Sequence, residues 1–358
     1  MANILILLDY RNTFLLSIEN LQDYTSMDLN KIRALFIQQG NSIEIIKISE
    51  LDFTRNYKGN YILYQTSEDI GAFYKDYIED IIYYLETQGA ILLPSYNYLL
   101  AHNNKNFMEL LRNSFQSTDL KTIKSSIFGT AEDAIQQTDK FPVILKSAEG
   151  SGSRYVLLAQ NKREFENKAK FLSGVFIVND LPSLLEFIKY KIALLLFNKV
   201  KVRYRFYYRH RLYTFYRKKF LVQNFIQGLK GDYKVLYFGG KYFSLFRKNR
   251  DNDFRASGSG KLYPVRNEEL QGLLNFARKL TQEISFPIIA MDIGFDGEKY
   301  HLLEFQCIHI GPYTLQASLY WYEYINGEWV RFTGITNLED EYCRSINDYI
   351  KMLENKNV

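Results

Sequence analysis

Strand and helix patterns alternate through the first 93 residues, and this order restricts the possible folds more than any other feature of the sequence. Apolar runs typical of buried strands alternate with segments of helical spacing; the strands are predicted at 4–8, 42–48, 61–64 and 90–93, and the helices at 28–38 and 70–86. Such an order predicts a parallel sheet with crossover helices. No glycine-rich dinucleotide-binding fingerprint follows the first strand, so this segment is expected to be a scaffold or a substrate domain.

The composition is that of a globular protein with more than one domain. The chain has 358 residues, 47% hydrophobic and 24% charged, which is enough for a sizeable core. Its net charge of +5 does not by itself imply a nucleic-acid partner, and none is expected. Cys307 and Cys343 are too few for a disulfide framework and fit a reducing cytosol, so we expect a cytoplasmic location. No signal peptide and no integral membrane segment are expected, because no apolar run approaches roughly 20 residues.

A predicted hairpin at 291–306 carries the most informative polar residues of the chain. Its apolar strands flank an Asp-Gly turn signal, so Asp292 and Glu304 should lie roughly opposite each other. Gln306 lies two residues beyond Glu304 and should share its face. Two carboxylates and an amide oxygen suit a hard cation such as Mg²⁺, which is usually shared with phosphate oxygens. The alternative is a half-exposed hairpin whose acids are solvated.

A second informative segment ends an apolar strand with Lys146 and continues into a small, flexible loop made of Glu149, Gly150, Ser151, Gly152 and Ser153. A lysine at a strand end is costly to bury without an anion, and the backbone N–H groups of such a loop can bind phosphate. Apolar residues at 156–158 predict a second strand, so the order is not the strand, loop and helix of a P-loop. An ordinary hairpin without a ligand is the alternative.

Seven motifs occur in the order found in ATP-grasp enzymes, and the chain resembles that superfamily, which includes D-alanine–D-alanine ligase, glutathione synthetase and the ribosomal-protein glutamate ligases. The resemblance covers roughly residues 103–312. The matching residues are, in chain order, Lys105, Lys146 with the loop from Glu149 to Ser153, the hinge residues Gln223, Phe225 and Ile226, the strand with Asp232 and Lys234, Arg247, the loop with Arg255, and the set Asp292, Glu304 and Gln306. The resemblance implies an α/β and α+β multidomain ATP-grasp fold with an N-terminal Rossmann-like pre-grasp domain.

The resemblance also implies which residues bind the cofactors. ATP would be bound by the two lysines, the glycine loop, the hinge residues and Asp232. Two Mg²⁺ ions, which Mn²⁺ could replace, would be held by Asp292, Glu304 and Gln306. These ions would bridge the β- and γ-phosphates.

The implied reaction is that of a carboxylate–amine ligase. ATP would phosphorylate a carboxylate, and an amine would displace phosphate from the acyl phosphate. Lys234, Arg247 and Arg255 would be the catalytic cations, holding the γ-phosphate, the acceptor carboxylate and the tetrahedral intermediate. Small-molecule or peptide carboxylates and amines are therefore the expected partners.

Two residues depart from the usual pattern of the superfamily. Lys234 stands where Arg is usual, which keeps the charge but loses bidentate geometry. Gln306 stands where Asn is usual and offers the same amide oxygen one methylene further out. These departures leave open a non-catalytic nucleotide-binding interaction protein. An ATP-grasp kinase that only phosphorylates a small molecule is a further alternative.

An insertion before the hinge is longer than the one that compact members of the superfamily carry. Residues 181–197 predict an amphipathic helix, and residues 199–219 contain nine Lys or Arg and no acid. The basic residues are interleaved with aromatic ones, and packing of the aromatic rings on the core is the first interpretation. An acidic substrate or carrier, a membrane surface and nucleic acid are the alternatives.

The motifs divide the chain into four predicted parts: a pre-grasp α/β domain at 1–100, a small lid subdomain at 101–180, the helical and basic insertion at 181–220, and a large subdomain with the metal site at 221–358. After the hairpin, His309 is a candidate substrate contact, although a lone histidine is more often structural; the same holds for His301. A homodimer is the commonest assembly of soluble enzymes and is the default expectation.

Overall fold

The computed structural model describes residues 1–19, 23–69, 71–150, 155–174 and 217–356, together with positions 185, 188, 189 and 192. Its residues form two compact units: unit 1 contains those at 1–123 and 226–356, and unit 2 those at 124–150 and 155–225. The predicted helix at 181–197 and the basic stretch at 199–219 lie outside the described residues, apart from the four single positions and residues 217–219. The four-part division stays a prediction.

The described residues contain seventeen strands. In chain order they are β1 (Asn3–Leu8), β2 (Leu16–Glu19), β3 (Asp23–Ser26), β4 (Ser42–Lys47), β5 (Tyr61–Leu63), β6 (Ile91–Leu93), β7 (Ser125–Phe128), β8 (Val143–Ser147), β9 (Val156–Ala159), β10 (Phe220–Asn224), β11 (Gly231–Phe238), β12 (Lys241–Lys248), β13 (Leu262–Tyr263), β14 (Ile288–Phe295), β15 (Tyr300–Gln306), β16 (Tyr320–Ile325) and β17 (Glu328–Thr333).

Nine α-helices accompany these strands within the same residues. In chain order they are α1 (Leu29–Gln38), α2 (Phe73–Thr87), α3 (Tyr96–Ala101), α4 (Lys105–Ser114), α5 (Ala131–Gln137), α6 (Lys162–Ser173), α7 (Asn267–Glu283), α8 (Tyr313–Ala317) and α9 (Leu338–Lys356). None of the helices in the described part of the chain combines the length and the hydropathy that a membrane span requires.

Four strands form the parallel sheet that the N-terminal pattern predicts, in the order β4-β1-β5-β6. Alternate residues of β1 enter different hydrophobic clusters: Ile6 belongs to the cluster that contains Phe36 of α1, and Leu7 to the cluster that contains Ile82 of α2. The strand is therefore buried on both faces, which explains its uninterrupted apolar run. This α/β arrangement confirms the predicted class of the N-terminal segment.

Unit 1 also contains a large antiparallel sheet. Its strand order is β15-β14-β11-β12-β16-β17, with β13 paired to β12. One face is apolar: Tyr233, Val235 and Ile293 are buried, and the ring of Phe276 from α7 contacts Tyr300 of β15. The residues that alternate with these on β11 and β14 belong to the other face, which carries the charged residues of the candidate site.

Unit 2 contains an antiparallel sheet of four strands in the order β7-β10-β8-β9. Its core forms where Leu145 of β8 and Phe220 of β10 pack with Phe165 of α6 and Ala134 of α5. Thr130 begins α5 by accepting a hydrogen bond from the backbone N–H of Asp133. The helices thus cover one face of the sheet, and the alternate residues of its strands belong to the face away from these helices.

Candidate functional site

Asp292 and Glu304 lie directly opposite each other on the antiparallel strands β14 and β15. Directly opposed residues in an antiparallel pair point to the same side of the sheet. Gln306 lies opposite Ala290 and two residues beyond Glu304, so it shares this face as well. The fold therefore brings the three predicted metal ligands to one face of one hairpin.

The opposition of the two carboxylates depends on a β-bulge. Between the turn and the site the register pairs Ile293 with Leu302, and the register then shifts so that Glu304 lies opposite Asp292. The additional residue is Leu303, whose carbonyl oxygen accepts a hydrogen bond from Nη2 of the buried Arg112 at 3.3 Å. The bulge therefore puts Glu304, and not Leu303, opposite the aspartate.

Cations of β11 and β12 flank Asp292 on the same sheet face. Lys234 lies opposite Asp292, and its Nζ donates to Oδ1 of the aspartate at 2.8 Å. Arg247 donates from Nη2 to Oδ2 of Asp292 at 3.0 Å, and from Nε and Nη2 to the two oxygens of Asp232 at 2.8 and 2.6 Å. We call Asp232, Lys234, Arg247 and Asp292 the carboxylate cluster. Every carboxylate oxygen in it accepts a hydrogen bond from a cation.

Burial and ion pairing act in opposite directions on the pKa values of this cluster. Burial favours the neutral form of Asp292, but the ammonium of Lys234 and the guanidinium of Arg247 outweigh it and lower the pKa of the aspartate. The pKa of Asp232 is raised, first by burial and then by the charge of Asp292. Asp292 is therefore ionised at neutral pH, as a carboxylate metal ligand must be.

Glu304 and Gln306 complete the predicted donor set on β15, an edge strand of the sheet. The Glu304 side chain is 43% exposed, and its Oε1 lies 3.9 Å from Nζ of Lys105 at the start of α4. Gln306 is half-buried. Each hydrogen-bonded oxygen of Asp292 keeps a second lone pair. Two carboxylates and one amide oxygen on one face thus fit a hard divalent cation such as Mg²⁺.

Arg255 has its own partner outside the carboxylate cluster. Its guanidinium pairs with Asp253, with Nη2 lying 2.6 Å from Oδ2, and this hydrogen bond raises the pKa of the arginine. Gly258 in the same loop has a φ of +78°, a conformation that favours glycine. The catalytic role of Arg255 remains a prediction.

Lys146 and Gln223 share one face of the unit 2 sheet. Strands β8 and β10 pair so that Lys146 lies opposite Leu221 and Gln223 opposite Ile144. The intervening residues, among them Leu145, enter the core with α5 and α6. The two predicted nucleotide-binding residues thus lie on the sheet face opposite these helices.

The glycine loop is described only in part. Glu149 is exposed, and Gly150 has a φ of +106°, a conformation that favours glycine. Ser151, Gly152 and Ser153 lie outside the described residues. The phosphate-binding role of the loop therefore remains a prediction.

The predicted hinge coincides with the boundary of the two units. Gln223 is buried, and its Nε2 donates to Oγ of Ser125 at 2.8 Å. The boundary falls between Phe225 and Ile226, which are both half-buried. Their contact with an adenine remains a prediction.

His301 has a structural role. It is buried, and its Nε2 lies 2.9 Å from Oδ2 of Asp296 in the hairpin turn, while its Nδ1 lies 2.9 Å from Oγ1 of Thr122. The hydrogen bond with His301 lowers the pKa of Asp296 to about 2. With both ring nitrogens engaged, His301 joins the hairpin to the segment before unit 2 and has no donor left for a ligand.

His309 lies in a group of residues that the sequence does not predict. Ligand atoms of His309, Glu68 and His102 all lie within 4.8 Å of one another. The rings of the two histidines are stacked with centroids 5.8 Å apart, and Nε2 of His102 lies 3.4 Å from Oε1 of Glu68. We call these three residues the histidine cluster. Burial lowers the pKa of His309.

Only solved structures match this chain in the comparisons with known proteins: no family model and no curated protein sequence does. The crystal structure of the D-cycloserine synthetase DcsG is similar, with a TM-score of 0.51 and 10% identity over 97% of this chain and 99% of that one. A RiPP-associated ATP-grasp ligase from Chryseobacterium gregarium, in complex with ADP and a leader and core peptide, has a TM-score of 0.51 and 12% identity. That match covers 99% of this chain and 97% of the other.

Identity at this level shows the fold, and the fold agrees with the order of the motifs. Both similar structures match over nearly their whole length, so the likeness includes the parallel sheet of the N-terminal segment as well as the later strands. The chain therefore shares its fold with these two structures, one of which is an ATP-grasp ligase.

Proposed function

We propose that this chain is an ATP- and Mg²⁺-dependent ligase that activates a carboxylate as an acyl phosphate and joins it to an amine. The observation that carries the proposal is the cross-strand pair of Asp292 and Glu304, with Gln306 on the same face. The cations of the carboxylate cluster lie beside this pair. The names of the two similar structures, a synthetase and a ligase, support the same class of reaction.

The metal would be held by Asp292, Glu304 and Gln306. Bound there, two Mg²⁺ ions would neutralise and align the β- and γ-phosphates, which is the main requirement of phosphoryl transfer. Lys234 keeps Asp292 ionised and oriented. Arg247 fixes Asp292 from the other oxygen and so holds the ligand face in one geometry.

The same residues provide the charge that the reaction needs. In the first step a carboxylate oxygen attacks the γ-phosphorus, and the bond to the bridging oxygen breaks to release ADP. In the second step an amine attacks the acyl carbon, phosphate leaves with the bonding electrons, and the amine proton passes to phosphate or water. Lys234, Arg247 and Arg255 stabilise the negative charge on the transferred phosphoryl group and on the tetrahedral intermediate. No side chain has to form a covalent bond.

The sequence motifs assign nucleotide-binding roles to residues of each unit. Lys105, whose Nζ lies 3.9 Å from Glu304, would hold phosphate oxygens near the metal ligands. Lys146 would do the same from the unit 2 sheet, and the loop at 149–153 would cover the phosphates with its N–H groups. Gln223 and the hinge residues would contact the adenine. The position of Lys146 and Gln223 on one sheet face supports this assignment.

The test measures ADP and phosphate release with Mg·ATP against pooled amino acids, dipeptides and uronic acids. Wild-type protein is compared with Glu304→Gln, which keeps the size of the side chain and removes one metal-ligand charge. Glu298→Gln is the matched control, because Glu298 is an exposed carboxylate in the turn of the same hairpin. We expect turnover that requires both a carboxylate and an amine, a loss of about 10²–10⁴-fold in Glu304→Gln, and full turnover in the control.

Three outcomes would contradict parts of this proposal. Unchanged turnover in Glu304→Gln would show that the metal ligands are elsewhere. Turnover without an amine, with no hydroxamate formed when hydroxylamine is added, would identify a kinase whose product is not an acyl phosphate. Tight ATP binding with no turnover in any pool would favour a non-catalytic nucleotide-binding protein.

A further inference from the structure

His102 is buried with a ring nitrogen that the protein leaves unsatisfied. Its side chain is 2% exposed, its Nδ1 has no hydrogen-bond partner among the described residues, and its Nε2 lies 3.4 Å from Oε1 of Glu68. A buried imidazole has a donor and an acceptor, and leaving one of them without a partner costs free energy of folding. The fold tolerates this cost at a position where a ligand could satisfy the ring.

The neighbours of His102 are the two residue types that bind metal ions together with histidine. His309 supplies a second imidazole and Glu68 a carboxylate, with the ligand atoms of all three within 4.8 Å of one another. Nε2 of His102 and Oε1 of Glu68 are 3.4 Å apart. Ligands about 2.0–2.1 Å from a tetrahedral zinc ion are separated by roughly 3.3 Å, so this pair already has the required spacing.

The three residues come from separate parts of unit 1. Glu68 follows β5, His102 follows α3, and His309 follows β15. The backbone at His309 has a φ of +58°, a left-handed conformation that is strained for a residue other than glycine. This strained backbone places the His309 ring 5.8 Å from that of His102, at an interplanar angle of 13°.

We propose that Glu68, His102 and His309 form a binding site for a divalent transition-metal ion of the zinc class, separate from the magnesium ligands on β14 and β15. Two imidazoles and one carboxylate are a donor set that zinc-class ions accept and that Mg²⁺, which prefers oxygen ligands, does not. Three protein ligands leave a fourth position for water or a substrate group. Glu68 is 41% exposed, so the site has a side that solvent reaches.

Binding would require a small adjustment of the cluster. The rings lie nearly parallel, so the histidine side chains must rotate for their nitrogens to converge on one ion. The separation of up to 4.8 Å must contract toward about 3.3 Å. His309 is only half-buried and can make this movement more easily than His102.

The experiment titrates the full-length, metal-free protein with Co²⁺, without ATP, and follows the visible ligand-field bands that imidazole ligation produces. We expect one Co²⁺ per chain that is displaced by Zn²⁺ and is not displaced by millimolar Mg²⁺. Glu68→Gln, at a partly exposed position, should weaken binding about 10-fold or more, and His309→Gln should weaken it by about 100-fold or more. Because ATP is absent, the result does not depend on the proposed ligase activity.

Two controls separate this site from others. His301→Gln removes a histidine whose nitrogens are already engaged and should leave Co²⁺ binding unchanged. Glu304→Gln alters the proposed magnesium ligands and should also leave it unchanged. Failure of folded wild-type protein to bind Co²⁺, displacement by Mg²⁺, or unchanged binding in both Glu68→Gln and His309→Gln would overturn the proposal.

Discussion

The carboxylate cluster and the histidine cluster differ in how their polar groups are satisfied. In the first, each oxygen of Asp232 and Asp292 accepts a hydrogen bond from a cation of the same sheet. In the second, Nδ1 of His102 has no hydrogen-bond partner among the described residues, and Nε2 has only a contact of 3.4 Å with Glu68. The polar groups of the first cluster are therefore satisfied by the protein itself, and those of the second are only partly satisfied. Substitutions should reveal this difference as unequal effects on stability.

Removing Arg247 from the carboxylate cluster should have the largest effect on the free energy of unfolding. Arg247→Leu leaves Asp232 and Asp292 without their shared partner, at a position where Arg247 is only 12% exposed. Breaking a buried ion pair from one side typically costs about 3–5 kcal/mol. We expect a loss of this size in the free energy of unfolding, measured by urea denaturation. Arg33→Leu, on the exposed surface of α1, is the matched control and should change it by less than about 0.5 kcal/mol.

A loss below about 1 kcal/mol in Arg247→Leu would contradict the interpretation that the cluster is stabilised by its own ion pairs. The comparison with Arg33→Leu removes any general effect of exchanging an arginine for a leucine. It also separates the local effect at the sheet from the overall change in net charge.

The hairpin turn should show an intermediate effect that depends on pH. His301 lowers the pKa of Asp296 to about 2, so the ionised carboxylate is favoured in the folded state. The contribution of this carboxylate to the free energy of unfolding is fully present above its pKa in the unfolded chain, near 4. It is lost as the pH falls toward 2. Because the Asp296 side chain is 24% exposed, we expect Asp296→Asn to cost only about 1 kcal/mol at pH 6.

The measurement is the free energy of unfolding of wild type and Asp296→Asn between pH 6 and pH 2. The difference between the two proteins should shrink steadily below pH 4. A difference that stays constant down to pH 2 would mean that the ionised carboxylate does not contribute to the stability of the turn.

The smallest effect is expected at the histidine cluster in the absence of metal. His102→Leu removes an imidazole whose Nδ1 has no partner among the described residues and whose Nε2 has only the contact with the partly exposed Glu68, so little is lost. We expect a change of less than about 1 kcal/mol in the free energy of unfolding, in either direction. His301→Leu is the matched control and should cost about 1–3 kcal/mol, because it removes the hydrogen-bond partner of Oδ2 of Asp296 and of Oγ1 of Thr122. Equal losses in both variants would remove the distinction between the two histidines.

Sequence analysis succeeds where local spacing decides the structure. The Asp-Gly turn and the apolar strands around it predict the hairpin, and the structure confirms it, although Glu304 lies opposite Asp292 only because of the bulge at Leu303. The N-terminal sheet is confirmed for the same reason, because each of its strands is a short apolar run between helical segments. The hairpin of β16 and β17 is absent from the sequence analysis although Asn326-Gly327 provides a signal for it: both residues have positive φ, as a tight hairpin turn requires.

Sequence analysis fails where distant segments meet. Glu68, His102 and His309 follow a strand, a helix and another strand, and no spacing in the sequence relates them. The ion pairs of the carboxylate cluster can be predicted only in part. The alternation along β11 places Asp232 and Lys234 on one face, but only the pairing with β12 and β14 brings Arg247 and Asp292 to them. Such contacts depend on the tertiary fold.

The bulge at Leu303 gives the strand β15 two opposite phases of alternation. Before the bulge, Tyr300 packs with Phe276 and Leu302 is fully buried, so the even-numbered residues belong to the core. After the bulge, Phe305 and Cys307 are buried, so the odd-numbered residues belong to the core. Glu304 therefore lies on the other face of the sheet. A strand of uninterrupted period two would have directed either Leu302 or Glu304 to the wrong side. One additional residue thus lets a single short strand contribute to the core of unit 1 at both ends and still present Glu304 and Gln306, the proposed metal ligands, on the other face.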